Sequence, residues 1–450
     1  MQARKSLISL VCLCAFSNGA LAQHDGSLDI TFNPGSGVAG FVNSIALQTN
    51  GQLILGGQFS SFNGQPRNCV ARLNPDGSLD NSFSAGQGPS GIVNAVEVDT
   101  AGRVYIGGNF SSVSGISRSS LARLRNDGSL DSSWANNSFA IVTSIRRQAD
   151  GTILVVGQYG NAGVVVRLNA DGSLDPLFNP IAHITDGLIN AVAIQDDGEV
   201  IVAGSFTTNS PVSRQSIARV SASGVLDPSF NAGYLYGGGA VQIYAVAIQP
   251  DRKILVSGSF TSINGYSSPE IARLNTNGTV DTTFHSPLSV GAVYIPGITL
   301  LASGKIMINA QLLSPPVLRL NPDGSEDLIF GEHKYAGGQV PALVVQPDGR
   351  VLVGGSFSSI DGTNINNIAR LNGTSTNAPP LQFLSVNQYA GMFLSGIVSN
   401  SYRVEWTTHL NTPSLWTPLC IVTLQSNPQF VVDTNPISGA QRFYRAVGLP

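Results

Sequence analysis

The sequence predicts an all-β protein: a seven-bladed β-propeller closed by its N-terminal strand, followed by a small β-sandwich. Three observations carry that prediction. Charged residues make up only 11% of the 450-residue chain, while glycine occurs 50 times, a balance that suits strands joined by many tight turns. A unit of about 50 residues recurs seven times, which is the period of a propeller or solenoid rather than of unrelated domains. The ends of the repeat region are complementary halves. The last unit stops after Ile368-Ala369-Arg370-Leu371-Asn372 without a fourth strand, and Asp25-Gly26-Ser27-Leu28-Asp29-Ile30-Thr31-Phe32 is a fourth strand without the other three. If that strand completes the last blade, a ring closes and an exposed sheet edge disappears.

Residues 1–22 read as a signal peptide. Arg4 and Lys5 form a basic start, Leu7 to Phe16 an apolar core, and Ala20-Leu21-Ala22 a small-residue cleavage pattern. A membrane span needs roughly 18 or more apolar residues; this run is shorter and no second one follows. The mature chain is therefore expected to be exported without a transmembrane segment, ending secreted, on the cell surface or in the periplasm. The full chain sets 24 Lys and Arg against 27 Asp and Glu. That mild acidity, with no basic stripe, argues against a nucleic-acid partner. Cys12 and Cys14 leave with the leader. Cys69 and Cys420 lie far apart in sequence and are expected as free thiols, so this is no disulfide scaffold.

Within one unit, Val42 to Gln48, Leu53 to Phe59, Cys69 to Asn74 and Ser78 to Phe83 read as four strands. In the last hairpin, Pro75-Asp76-Gly77 suits a three-residue loop: proline opens a type I turn and glycine takes the left-handed position after it. Three signatures mark the repeats. An apolar strand ends in glycine with an aromatic two residues on, as at Gly57/Phe59, Gly108/Phe110 and Gly355/Phe357. An acid precedes an aromatic by three residues, as at Asp80/Phe83 and Asp131/Trp134. An arginine sits eight residues before that acid in Arg72/Asp80, Arg123/Asp131, Arg167/Asp175, Arg219/Asp227, Arg273/Asp281 and Arg319/Asp327. In such a hairpin this spacing makes direct cross-strand partners, each pair contributing roughly 0.2–1 kcal/mol. Ring closure would pair Arg370 with Asp29.

The long motifs Gln346-Pro347-Asp348-Gly349-Arg350-Val351-Leu352-Val353-Gly354-Gly355-Ser356-Phe357 and Ala71 to Asp80 resemble the delta-60 repeat family of exported bacterial β-propellers. The resemblance covers residues 24–372 and implies a fold and export, with no established chemistry. The sixth blade departs from it, since Asn309-Ala310 replaces the glycine pair. The propeller is expected over 23–372, a linker over 373–380 and a β-sandwich module over 381–450. There, Tyr402-Arg403-Val404-Glu405-Trp406 and Arg442-Phe443-Tyr444-Arg445 resemble a short C-terminal module of exported bacterial proteins.

The chemistry in the sequence is sparse. The Asp-Gly-Ser-Leu-Asp segments invite a calcium reading, but an EF-hand needs a bidentate glutamate at its twelfth position. Counting from Asp76, Asp127 and Asp171 reaches Gln87, Ser138 and Ala182 instead. No metal site and no cofactor are therefore expected. The glycine pairs precede no lysine at P-loop spacing, and no nucleophile motif or paired histidine spacing occurs. Glu97 and Arg146 interrupt a first-strand position filled elsewhere by Ala46, Ala193 and Ala247; they are expected to pair between neighbouring blades, the alternative being a charged spot on a central channel. Irregular loops at 179–187, 231–242, 266–269 and 331–339 share one face of the propeller, and such loops on a rigid scaffold usually carry function. Tyr234, Tyr236, Tyr266, His333, Lys334 and Tyr335 are the candidate ligand-binding residues. The expected role is a monomeric, non-enzymatic binding or surface-interaction protein for an extracellular glycan or protein. The alternatives are a polysaccharide lyase or hydrolase on the same scaffold, and a purely structural adhesion module.

Overall fold

The computed structural model describes residues 25–135, 137–159, 162–178, 184–208, 213–288, 294–311, 316–330, 333, 335–373, 381–386, 389–394, 401–407, 417–423, 429–433 and 443–448. The leader and residues 374–380 of the linker lie outside these. The chain divides into compact units, one of them Asp25–Ser375 and the other containing Thr376–Pro450. Among the described residues the only helix is one 3-10 turn, Leu328–Phe330, and no helix is long and apolar enough to cross a membrane.

Unit Asp25–Ser375 is all-β and propeller-like. Its repeating element is a three-stranded antiparallel sheet. The first contains Val38–Leu47, Leu53–Phe62 and Val70–Leu73. Equivalent sheets follow, with first strands Ile92–Val98, Ile141–Arg147, Ile184–Ile194, Ile243–Ile248, Tyr294–Leu300 and Ala342–Val345. Second strands are buried nearly throughout, as in Leu53, Ile54 and Leu55. Both of their faces meet other sheets, so they read as continuous apolar runs.

The predicted fourth strand shrinks to a single antiparallel bridge, Leu73 to Leu79, with the same bridge recurring at Leu124/Leu130 and Leu168/Leu174. The reason lies in the aspartate. Asp80 Oδ1 accepts from the Ser82 amide and hydroxyl at 2.9 and 2.7 Å, and this local turn diverts the chain before a ladder can extend. The hairpin itself has the expected register. The Asn74 amide donates to Ser78 O and the Asp80 amide to Arg72 O, with Gly77 at φ +90°.

The glycine pairs answer two different close approaches. A Cβ on Gly56 would meet Val96 and Val93 of the next sheet at 2.6 and 2.7 Å, and one on Gly57 would meet Phe41 O at 1.9 Å. That carbonyl is pushed inward by a bulge between Val42 and Ser44. The same first contact joins the last sheet to the first, where a Cβ on Gly354 would meet Val42 at 2.6 Å. Leu28 bridges Leu371, and one core cluster mixes Phe32, Val42 and Leu55 with Ala342, Leu352 and Ile368.

The sixth sheet solves its missing glycine from the opposite strand. Asn309 pairs with Gly297 after a widened bulge between Tyr294 and Gly297. A Cβ on Gly297 would lie 2.4 Å from Asn309 Oδ1, so the glycine has changed strands.

In the C-terminal unit, one sheet orders Leu381–Val386, Tyr389–Leu394 and Gln429–Asp433. Another places Ser401–Thr407 between Thr417–Thr423 and Phe443–Gly448. Val404 and Ala446 are buried. Cys69 is a buried free thiol.

Candidate functional site

The first strands converge on a cavity of about 440 Å³ lined by residues such as Asn43, Asn94, Thr143, Asn190, Tyr244 and Pro296. These side chains are extra residues of the bulges, which fall after Val42, Val93, Val142, Ile189, Ile243 and Tyr294. A bulge re-aims one side chain per strand, and here it is aimed into the channel. Each asparagine uses its nitrogen to hold the next sheet. Asn43 Nδ2 donates to Val93 O at 3.2 Å, Asn94 Nδ2 to Val142 O at 3.1 Å and Asn190 Nδ2 to Ile243 O at 2.8 Å.

Asn309 also lines the cavity. Its Nδ2 donates to Val340 O and Pro341 O at 3.0 and 2.8 Å, while its buried Oδ1 has no partner among the described residues. Tyr244 meets Tyr294 edge-to-face with ring centroids 4.5 Å apart. Deeper along the strands, Glu97 and Arg146 stand in the same lining. Burial pushes the Glu97 carboxyl above its ordinary range, against the opposing pull of Arg146 and Arg147.

The other end of the strands is built for cohesion. Each arginine of the repeat binds its aspartate through Nε at 2.6–2.8 Å: Arg72/Asp80, Arg123/Asp131, Arg167/Asp175, Arg219/Asp227, Arg273/Asp281, Arg319/Asp327 and Arg370/Asp29. Burial pushes Asp80 up, but Ser82 and Arg72 outweigh it and hold the carboxyl below its usual range. The guanidinium also stacks on the aromatic, as Arg72 does 4.9 Å from the Phe83 centroid. Pair spacing does not reveal a second role of these arginines. Arg72 Nη1 donates to Asn126 O at 2.6 Å, Arg123 to Ala170 O at 2.7 Å and Arg219 to Thr276 O at 2.9 Å, each in the turn of the following repeat. Arg370 Nη1 does the same to Pro75 O at 2.7 Å, reaching from the last repeat to the first.

The loop-rich end carries a signal that the sequence reading passed over. Asn63-Gly64, Ser114-Gly115, Asn264-Gly265 and Asp361-Gly362 all have positive φ at both residues, the two-residue hairpin of mirror-image turn type. Tyr266 therefore stands on an ordered strand rather than an irregular loop. Ser262–Ile263 pairs with Leu235–Tyr236 on one side and Tyr266–Ser267 on the other. Tyr234, Tyr236 and Tyr266 are 68%, 55% and 52% exposed. They do not form one platform: Tyr266 shares its row with the buried Leu235 and Ile263, while Tyr234 and Tyr236 alternate onto the other face.

His333 is not an accessible ligand residue. It is buried, with Nδ1 2.7 Å from Asp361 Oδ2 and Nε2 3.3 Å from Phe330 O. It fills the space that Gly26 leaves open. Tyr335 takes the inward position equivalent to Leu235, pairing with Ile360 and packing its ring 5.5 Å from that of Phe357. Lys334 lies outside the described residues.

The family profile described as "Domain of unknown function (DUF5122) beta-propeller" matches residues 48–83, 102–133, 148–178, 195–230, 249–284 and 346–376. The matched segments skip the sixth repeat, the one with Asn309-Ala310. Comparison with curated protein sequences returned no match. Among solved structures, the WD40 β-propeller domain of Doa1 is 14% identical with a TM-score of 0.50, covering 79% of this chain and 97% of that one. PorZ is described as an essential bacterial surface component of the type-IX secretion system of Porphyromonas gingivalis. It is 11% identical with a TM-score of 0.47, covering 90% of this chain and 59% of its own. Virginiamycin B lyase from Staphylococcus aureus is 12% identical with a TM-score of 0.47, covering 74% and 94%. At these identities the likeness is one of fold. The chain thus carries six segments that match the DUF5122 β-propeller profile, on an all-β, propeller-like fold.

Proposed function

We propose that this chain is exported after cleavage near Ala22 and forms a closed seven-bladed propeller followed by a C-terminal β-sandwich. In this reading it acts as a monomeric, non-enzymatic binding protein for an extracellular glycan or protein, met at the loop-rich end. Closure is supported by the contacts of Arg370 with Asp29 and Pro75 and of Gly354 with Val42. The observation that carries a binding role is the exposure of Tyr236 and Tyr266 on short, hydrogen-bonded strands, with the exposed Tyr234 just before the first of them. Large amphipathic rings held rigidly lose little entropy on contact and are favoured where ligands dock.

The enzymatic alternative draws on Glu97 beside Arg146. Glycoside hydrolysis works with two carboxyl groups, and Glu97 is the one carboxyl among the lining residues. The test is to titrate the mature chain against a panel of polysaccharides while following products in the same wells. Binding without turnover is the expected result. Turnover would establish an enzyme, and loss of binding in Tyr234→Ala and Tyr236→Ala would locate the contact on this sheet.

A further inference from the structure

We infer that the channel is a receptor for a hydroxyl-rich, uncharged sugar, entered from the loop-rich end by a glycan chain end. This inference rests on the binding reading above and names the ligand class and the seat. The first support is the state of the asparagines. Asn43, Asn94 and Asn190 each commit Nδ2 to a carbonyl of the neighbouring sheet, which fixes the carboxamide plane. Among the described residues no donor reaches their Oδ1 atoms. The result is a set of pre-oriented acceptors, which suit O–H donors and repel anions.

The sixth repeat contributes differently: Asn309 is 1% exposed, and its Oδ1 is enclosed against Gly297, closed to a ligand.

The apolar side of a sugar also finds a surface. Tyr244 and Tyr294 stand edge-to-face near the start of their strands, and Tyr294 is 40% exposed. Sugar rings present C–H groups on one face and hydroxyls around the edge, which matches an aromatic wall beside carboxamide acceptors. The size agrees too. A cavity of about 440 Å³ accepts one or two sugar rings and is too confined for a folded protein, and ligand sites of roughly 300–1,000 Å³ are typical.

The test is calorimetric titration of the mature chain with neutral oligosaccharides (cello-, laminari-, manno- and chito-hexaose), with oligogalacturonate and the free monosaccharides as comparison arms. The wild type should bind at least one neutral hexaose. Tyr244→Ala and Asn190→Ala should each weaken that binding by about tenfold or more, while Tyr244→Phe, which keeps the ring, should largely retain it. Thermal melts establish that each variant is folded. If Asn190→Ala does not fold, Asn94→Ala replaces it. Equal affinity in the wild type and the channel variants would overturn the channel assignment and leave the binding role standing. Tighter binding of oligogalacturonate would overturn the uncharged class. No saccharide binding by the wild type would overturn the inference altogether, whereas the broader binding role would fail only if protein ligands were absent as well. Binding of the monosaccharide as tightly as the hexaose would replace a chain end with a free sugar and overturn the glycan reading.

Discussion

The two ends of the same strands have opposite characters. At the turn end, the arginine, aspartate and aromatic side chains of a repeat satisfy one another, joined by a hydroxyl as at Ser82, and the arginine also reaches the next repeat. At the loop-rich end, carboxamide oxygens and tyrosine rings remain available. A repeat scaffold must hold its neighbours together; at the turn end the arginines do this with their whole polar group engaged, whereas at the other end Asn43, Asn94 and Asn190 commit only their nitrogens to it. The difference teaches that the strongest sequence signal marks cohesion, while the loop-rich end is where the repeats differ.

Acid should break the turn end first and most severely, because its effect is collective. Asp29, Asp80, Asp131, Asp175, Asp227, Asp281 and Asp327 are all held below their ordinary range in the folded state. The unfolded chain then binds more protons, so their contribution is present above the unfolded value of about 3.9 and is lost as pH falls below it. Urea midpoints should be flat near neutrality and drop steeply below about pH 4; a flat acid limb would contradict this account.

Among single changes, Arg319→Leu should cost most. Its side chain is fully buried, and it pairs with Asp327 and Asp25. Removing it strands Asp327 with Lys305 alone, for an expected loss of about 3–5 kcal/mol by chemical denaturation. Gly297→Ala should cost about 1–3 kcal/mol through overpacking against Asn309. Asn309→Gly in the same chain should recover part of that loss, and a double-mutant cycle without coupling would refute the strand-exchange explanation.

At the other end, Tyr234→Ala and Tyr236→Ala should leave stability within about 0.5 kcal/mol and reduce ligand capture, as read by melts and titration together. The smallest effect is expected from Glu97→Gln. Burial raises the Glu97 carboxyl, so the folded state binds its proton more readily, and the charged form weakens stability at neutral pH. Glutamine should give a slight gain at pH 7 that disappears below about pH 4.

Much of the cohesive end was legible from spacing. An eight-residue offset across a three-residue loop leaves one cross-strand geometry, and Arg72 lies on Asp80 as that geometry requires. The loop-rich end was less legible. His333 looked like an exposed loop residue, but it is buried beneath Gly26, which lies some 300 positions away in sequence. The mirror-image hairpins are written in the sequence as pairs such as Asn63-Gly64 and Asp361-Gly362, but the strands they join are only two residues long and leave little alternation to read.

By itself, then, the sequence determined the all-β class, the repeat, its turn chemistry and its arginine–aspartate register, because these are local and period two makes pairing explicit. Only the tertiary structure decided which side chains the bulges turn inward, that the arginines reach the next repeat, and that Gly297 makes room for Asn309. Each of these depends on the distance between sheets, a quantity set by the packing of whole repeats and written in no single one of them.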